Sequence, residues 1–302
     1  MVAEKIKLRR TMMYVSGSNP ANIAQATIYG ADSLMFDLED SVSVNEKDAA
    51  RFVVYNALKT IDFGGTETVV RINAINTETG RQDLEAIVRA KPDVIRLPKT
   101  SCAQDVWDAE ALIAKIEREI GFEEGTIKLM AALEDPSGIL NSREIAKASK
   151  RLIGMAIGAE DFVTSMKTTR SPLGVELATA RGLLLMACRE AGIYALDTVY
   201  SDINNDEGFL EEVKLIKQLG FDGKSCIHPR QVQPVHQVFT PTAKEIDYAI
   251  RTFGAIKEAE EKHSGVIALN GKMIDLPMVE RARRVIRLAD AAGILNGGEF
   301  GC

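Results

Sequence analysis

The chain has 302 residues, 46% of them hydrophobic and 26% charged, a composition ordinary for a folded globular protein and long enough for two average domains or one α/β barrel. With 43 acidic against 37 basic residues the formal net charge is −6, which excludes the basic footprint of a nucleic-acid binder and leaves an anionic substrate in need of a local arginine, lysine or metal. No stretch reaches the roughly 18 apolar residues of a membrane span, and the first ten residues are charged, without the apolar core of a signal peptide.

The elements decide the fold. Apolar, β-branched runs of strand length occur at Thr11–Val15, Ser33–Phe36, Thr68–Ile72, Val94–Leu97, Ile127–Leu133, Leu152–Ile157, Tyr194–Val199 and Gly223–Ile227. Amphipathic stretches separate them, such as Ala103–Glu119, with Val106, Trp107, Ala111, Ile113 and Ile116 at helical spacing, and Gly208–Gln218. Strands alternating with helices predict βα units and a parallel sheet. Eight units in about 250 residues predict an α/β fold of the closed (β/α)8 TIM-barrel kind. The competing open sheet usually carries a Gly-rich phosphate turn after its first strand. Here that turn reads VSGSNPAN, so the barrel is the expectation.

The barrel is expected over residues 1–230, with a C-terminal helical extension or lid over 231–302 that packs on the barrel or on a neighbouring subunit. Within it, Thr240–Lys262 and Pro277–Leu295 read as helices and Val266–Asp275 as a hairpin-like piece. The four cysteines (Cys102, Cys188, Cys226 and Cys302) form no CxxC pair, which predicts reduced thiols in a cytoplasmic protein.

In such barrels the chemistry sits at the C-terminal ends of the strands. Those ends carry Asp37, Glu39 and Asp40 (MFDLEDS), Arg71 and Asn73 (VVRIN), Lys99 (IRLPK), Glu134 and Asp135 (LMAALEDP), Glu160 and Asp161 (AIGAED), Asp197 (ALDTVY), and Lys224 and His228 (GKSCIHP). So many carboxylates at one mouth repel one another and take up protons unless a cation is present. Hard oxygen ligands suit magnesium, which takes one or two protein carboxylates and keeps several waters. Glu134 and Asp161, on adjacent strands, are the natural pair. Asp135, just before Pro136 and Ser137, reads as a helix cap.

Arg71 either neutralises the MFDLED acids or grips a substrate carboxylate or a developing enolate through its fork. Lys99 opens a rival chemistry, a Schiff base, or bridges neighbouring acids. His228 and His236 make no metal set without further ligands.

The ordered set FDLEDSV, VVRIN, RLPKT, ALEDPSGI, GAEDFV, DTVYSD and GFDGKSCIHPRQV resembles the HpcH/HpaI aldolase/citrate lyase family of magnesium-dependent barrels, from about Arg10 to Arg283. The stretch ALDTVYSDINNDEGFLEEVKLIKQLGFDGKS resembles its citrate lyase branch in particular. The resemblance implies Mg2+ as cofactor. It assigns substrate binding and catalysis to Arg71, magnesium and substrate to Glu134, and magnesium to Asp161. A catalytic aspartate donated to a neighbouring subunit's site falls on Asp275, in LNGKMID. At the eighth strand Cys226 and His228 occupy positions that vary among relatives.

The implied reaction is retro-Claisen cleavage of a citryl thioester to oxaloacetate and an acetyl thioester. The implied partners are a citrate lyase α subunit that exchanges the acyl group, a small acyl carrier (γ) subunit with a CoA-like arm, and further copies of the chain. A stand-alone malyl-CoA or citramalyl-CoA lyase, a Schiff-base aldolase using Lys99, and a non-catalytic assembly subunit are the rivals.

Overall fold

The computed structural model describes residues 6–261, 268, 269 and 272–295. It divides into two compact units, Arg9–Val235 and His236–Cys302 with Met1–Leu8. The expected boundary at 230 falls just ahead of this cut, which lies inside a helix.

The larger unit is a closed barrel of eight parallel strands in sequence order. They are β1 (Thr11–Ser16), β2 (Ser33–Asp37), β3 (Glu67–Arg71), β4 (Val94–Leu97), β5 (Lys128–Leu133), β6 (Leu152–Ile157), β7 (Tyr194–Asp197) and β8 (Gly223–Cys226). Closure is made by β1 against β8, with Met12 opposite Ser225. The helices between them are α1 (Pro20–Gln25), α2 (Lys47–Thr60), α3 (Glu78–Ala90), α4 (Ala103–Ile120), α5 (Pro136–Leu140), α6 (Ser142–Ala146), α7 (Ala159–Ser165), α8 (Ala178–Ala191) and α9 (Asp206–Leu219). Each predicted strand is present within two residues of its expected ends. The link after β5 carries two short helices, α5 and α6, and the link after β6 carries short α7 ahead of the longer α8; periodicity did not resolve the short ones, because five to seven residues hold too few turns to show a period.

Successive strand residues face opposite sides of the sheet. One inward layer is therefore Met12, Met35, Val69, Val94, Met130, Ala156 and Leu196, an apolar plug that makes the lumen a packed core. Two residues further along β2, β3 and β4 stand Asp37, Arg71 and Arg96, which are register partners of one another. The switch from methyl groups to charges in one inward step is what creates the site.

Helix α4 begins at a capping box in which Asp105 accepts from the Cys102 backbone. It buries Val106, Ala109, Ile113, Ala114 and Ile116. Trp107 and Ala111, expected on that face, are exposed instead. Trp107 is 49% exposed and donates its indole N–H to Ala148 O at 2.9 Å, since one residue past Val106 is a turn of about 100° away from the core. Glu117, on the buried face, is held by Arg151 at the start of β6 (2.6 Å) and ties the helix ring to the barrel.

Helix α10 (Val232–Phe239) carries the cut between the units. Beyond it come α11 (Ala243–Glu261), an antiparallel pair β9 (Ala268–Leu269) and β10 (Lys272–Met273), and α12 (Leu276–Ala291). Ala249 on α11 packs with Ala282 and Ile286 on α12. The expected hairpin is present in this pair, while Lys262, Val266, Asn270, Gly271 and Cys302 lie outside the described residues. Cys102, Cys188 and Cys226 are free thiols. Among the described residues no helix is long and apolar enough to cross a membrane.

Candidate active site at the C-terminal barrel mouth

A cavity of about 690 Å³ opens at the C-terminal ends of the strands, lined among others by Tyr14, Asp37, Arg71, Arg96, Glu134, Asp161 and His228. Its polar wall has two connected halves.

The first half is built around Arg71. The Asp37 carboxylate, 1% exposed, accepts from Arg71 Nε at 2.7 Å and Nη2 at 2.8 Å. The N–H groups of Glu39 and Ser41 donate to the same carboxylate, at 2.9 and 3.0 Å. Burial pushes Asp37 upward, but the Arg71 fork and these N–H groups more than reverse it, so its pKa lies below the usual value. The third guanidinium nitrogen, Nη1, meets Glu39 Oε2 at 3.0 Å and Asp40 Oδ2 at 3.1 Å. Glu39 Oε2 is buried and off the line of that N–H, within ion-pair reach yet without a hydrogen bond. Burial raises Glu39 more than Arg71 and Lys99 lower it. Of the two roles open to Arg71 in the sequence, neutralising the MFDLED acids is visible directly, and its donors converge on three carboxylates.

Lys99 links the two halves. Its ammonium is hydrogen-bonded to Glu39 and stands 3.6 Å from Asp161 Oδ2 and 3.9 Å from Asp40 Oδ1. The residue adopts φ +48°, a left-handed conformation uncommon for a side chain as large as lysine. Partial burial alone would lower the Lys99 pKa, but Glu39 and Asp40 hold it above its ordinary value. A Schiff-base nucleophile needs the free amine, so the geometry favours Lys99 as a bridge between acids.

The second half is Glu134 with Asp161. Glu134 follows β5 and is buried, while Asp161 lies in the first turn of α7 after β6 and is exposed. Burial first, then the charge of Glu39 and the contact with Asp161, push Glu134 up to about 8. Room for Glu134 comes from Gly158, where a β carbon would stand 2.6 Å from Glu134 Cγ and 2.9 Å from Cδ. Two oxygen-donor side chains from neighbouring strand ends fit a hard divalent cation that keeps its remaining waters. No cluster of three or more His, Cys, Asp or Glu suited to a metal occurs among the described residues.

Other residues at the strand ends do different work. Asp135 caps α5 by accepting from Gly138 N at 2.7 Å, as its place before Pro136 predicted. Asp197 and Lys224 face neither solvent nor cavity. They form a buried network with Arg181 and Glu212, with Asp197 bonded to Arg181 at 2.8 Å and to Lys224 at 3.0 Å. Glu160 accepts from Ser201 Oγ at 2.7 Å. His228 lines the cavity, and its Nδ1 accepts from Arg230 N at 3.1 Å, so that nitrogen serves a cap.

In the smaller unit Asp275 is exposed and caps α12, accepting from Met278 N at 2.9 Å with Pro277 in the first turn. The residue missed in the sequence is Arg96. Its only signal was a lone arginine inside the strand VIRL, and it stands next to Arg71 in the register, on the cavity wall.

The HpcH/HpaI aldolase/citrate lyase family matches residues 10–229. Over 290 residues the chain is 53% identical to the citrate lyase subunit beta of Leuconostoc mesenteroides subsp. cremoris, covering 96% of each protein. Among solved structures it resembles CitE from Mycobacterium tuberculosis in complex with magnesium, acetoacetate and coenzyme A, with a TM-score of 0.75, 30% identity, and coverage of 94% of this chain and 98% of that one. It also resembles a citrate lyase beta subunit from M. tuberculosis complexed with oxaloacetate and magnesium, with a TM-score of 0.64, 31% identity, and coverage of 78% of this chain and 98% of that one.

Proposed function

Because the chain belongs to the HpcH/HpaI aldolase/citrate lyase family, we propose that it is a magnesium-dependent carbon–carbon lyase that cleaves a citryl thioester to oxaloacetate and an acetyl thioester. The observation that carries this reading is 53% identity to a citrate lyase subunit beta over 96% of both chains, joined to the acid pair of buried Glu134 and exposed Asp161 at the barrel mouth.

Glu134 and Asp161 hold the cation. When bound, it supplies Lewis-acid polarisation of the substrate's hydroxyl and carboxylate oxygens. Arg71, fixed by Asp37, Glu39 and Asp40, presents a rigid positive charge to the thioester oxygen on which the electron pair of the broken bond collects. Lys99 bridges Glu39 and Asp161 and offsets negative charge between them. A base removes the hydroxyl proton, the carbon–carbon bond breaks, and the enolate takes up a proton to become the acetyl thioester. Asp275 of a neighbouring copy is the base in this reading. Its support is the resemblance of LNGKMID to the family's trans-acting segment, and its exposure at the head of α12.

The family relationship extends to partners. The substrate thioester rides on an acyl carrier (γ) subunit, an α subunit exchanges the acyl group, and the chain forms a homo-oligomer. The test is a comparison of kcat/KM for citryl-CoA, malyl-CoA and citramalyl-CoA with magnesium. Citryl-CoA is expected to be preferred, and a preference for either of the others overturns the substrate assignment.

A further inference from the structure

A citryl thioester has two free carboxylates. One sits on the carbinol carbon beside the hydroxyl, the group that a cation held by Glu134 and Asp161 would polarise. The other ends a carboxymethyl arm and needs its own cation. We propose that Arg96 binds this second carboxylate and so selects a substrate with the oxaloacetate skeleton over one that ends in a methyl group or hydrogen. The inference rests on the lyase reading above.

Three observations single out Arg96. It is 2% exposed, points into the barrel lumen from β4 and lines the same cavity as Glu134 and Asp161. Its Nε has no hydrogen-bond partner among the described residues. The one hydrogen bond that its side chain makes among them runs from Nη1 to Met12 Sδ at 4.0 Å, and a thioether is a weak acceptor.

The contrast with its neighbours is sharp. Arg71, its register partner, spends its donors on Asp37, Glu39 and Asp40, and Lys99 spends its ammonium on Glu39, Asp40 and Asp161. The other buried arginines of the barrel, Arg9, Arg151 and Arg181, each face a carboxylate within 2.8 Å. A guanidinium removed from water with no acid opposite is costly, unless an anion from outside completes it. The planar fork takes a carboxylate in two parallel bonds, and the apolar layer one inward step below it offers no competing acceptor except the Met12 thioether.

The experiment is titration calorimetry on the magnesium-loaded protein with oxaloacetate and with pyruvate, which differ only in the second carboxylate. Wild type is expected to bind oxaloacetate more tightly. Arg96→Met is expected to weaken oxaloacetate by at least about tenfold, the scale of one charge-assisted bond, while pyruvate stays within about threefold. Equal weakening of both ligands, no weakening, or a wild type without preference overturns the proposal. Should Arg96→Met fail to fold, Arg96→Lys retains the lumen charge without the fork. Selective loss of oxaloacetate again supports the assignment, and wild-type binding of both ligands overturns it. Binding requires no turnover, so a protein that never cleaves citryl-CoA yet loses oxaloacetate selectively with Arg96 overturns the lyase reading alone.

Discussion

Gly158 and Glu134 share one space: a β carbon on residue 158 would lie 2.6 Å from Glu134 Cγ. The strand end after β6 thus carries a glycine because the strand end after β5 carries a carboxylate that turns toward it. The backbone at Gly158 has φ −93°, open to any residue, so the requirement is space alone. Gly158→Ala is expected to fold and to displace Glu134. The magnesium concentration for half-maximal cleavage should rise by about 10–100-fold, the scale for disturbing a group that supports a metal ligand. A magnesium titration of initial rates measures this, and an unchanged midpoint would detach Glu134 from the metal.

Arg71 is held by its shape. Its Nε and Nη2 clasp Asp37 while Nη1 reaches Glu39 and Asp40. A lysine cannot make three directed contacts from one nitrogen in this geometry. Arg71→Lys should therefore lose roughly 10²–10³ in kcat, the scale of one oxyanion donor. A variant within about threefold of wild type, a difference under 1 kcal/mol, would leave Arg71 as a neutraliser of acids only.

The network of Asp197, Arg181 and Lys224 should govern acid stability. Burial raises Asp197, but the two cations more than offset it and hold its pKa below the ordinary 3.8. A depressed folded-state pKa contributes stability that is complete above the unfolded value and lost as pH falls through the folded one. Asp197→Asn leaves two cations facing a neutral amide, at a cost of about 3–5 kcal/mol at neutral pH. Urea unfolding should show the gap between wild type and variant narrowing only below about pH 4. A gap that closes already between pH 5 and 7 would point to a different group.

That network also shows where the sequence ran out. Strand ends are legible because apolar runs stop at charges, and that rule found Arg71, Lys99, Glu134 and Asp161. It also admitted Asp197 and Lys224, whose partners Arg181 and Glu212 come from α8 and α9. Which charges pair inward is a matter of helix docking, invisible in a linear pattern. Asp135 was readable because cap, proline and serine are local. Arg96 was not, because an arginine within four strand residues looks like a surface face until closure of the sheet turns it into the lumen. Gly158 was equally silent, since its meaning is a side chain 24 positions away.

Asp275 is expected to act in a neighbouring copy's site in addition to capping α12. Asp275→Ala and Glu134→Gln chains, each inactive alone, should regain activity when unfolded, mixed and refolded together, because some interfaces then pair an intact Asp275 with an intact Glu134. If Asp275→Ala is active alone and only about 1 kcal/mol less stable, the residue is a cap and nothing more.

The most direct test of the account is cleavage of citryl-CoA by protein stripped with EDTA, before and after magnesium is returned, in wild type and in Glu134→Gln. The account predicts no turnover in the stripped protein, recovery of wild type with magnesium, and no recovery of Glu134→Gln although it remains folded. Full turnover without metal, or a Glu134→Gln enzyme working at the wild-type rate in saturating magnesium, would contradict it.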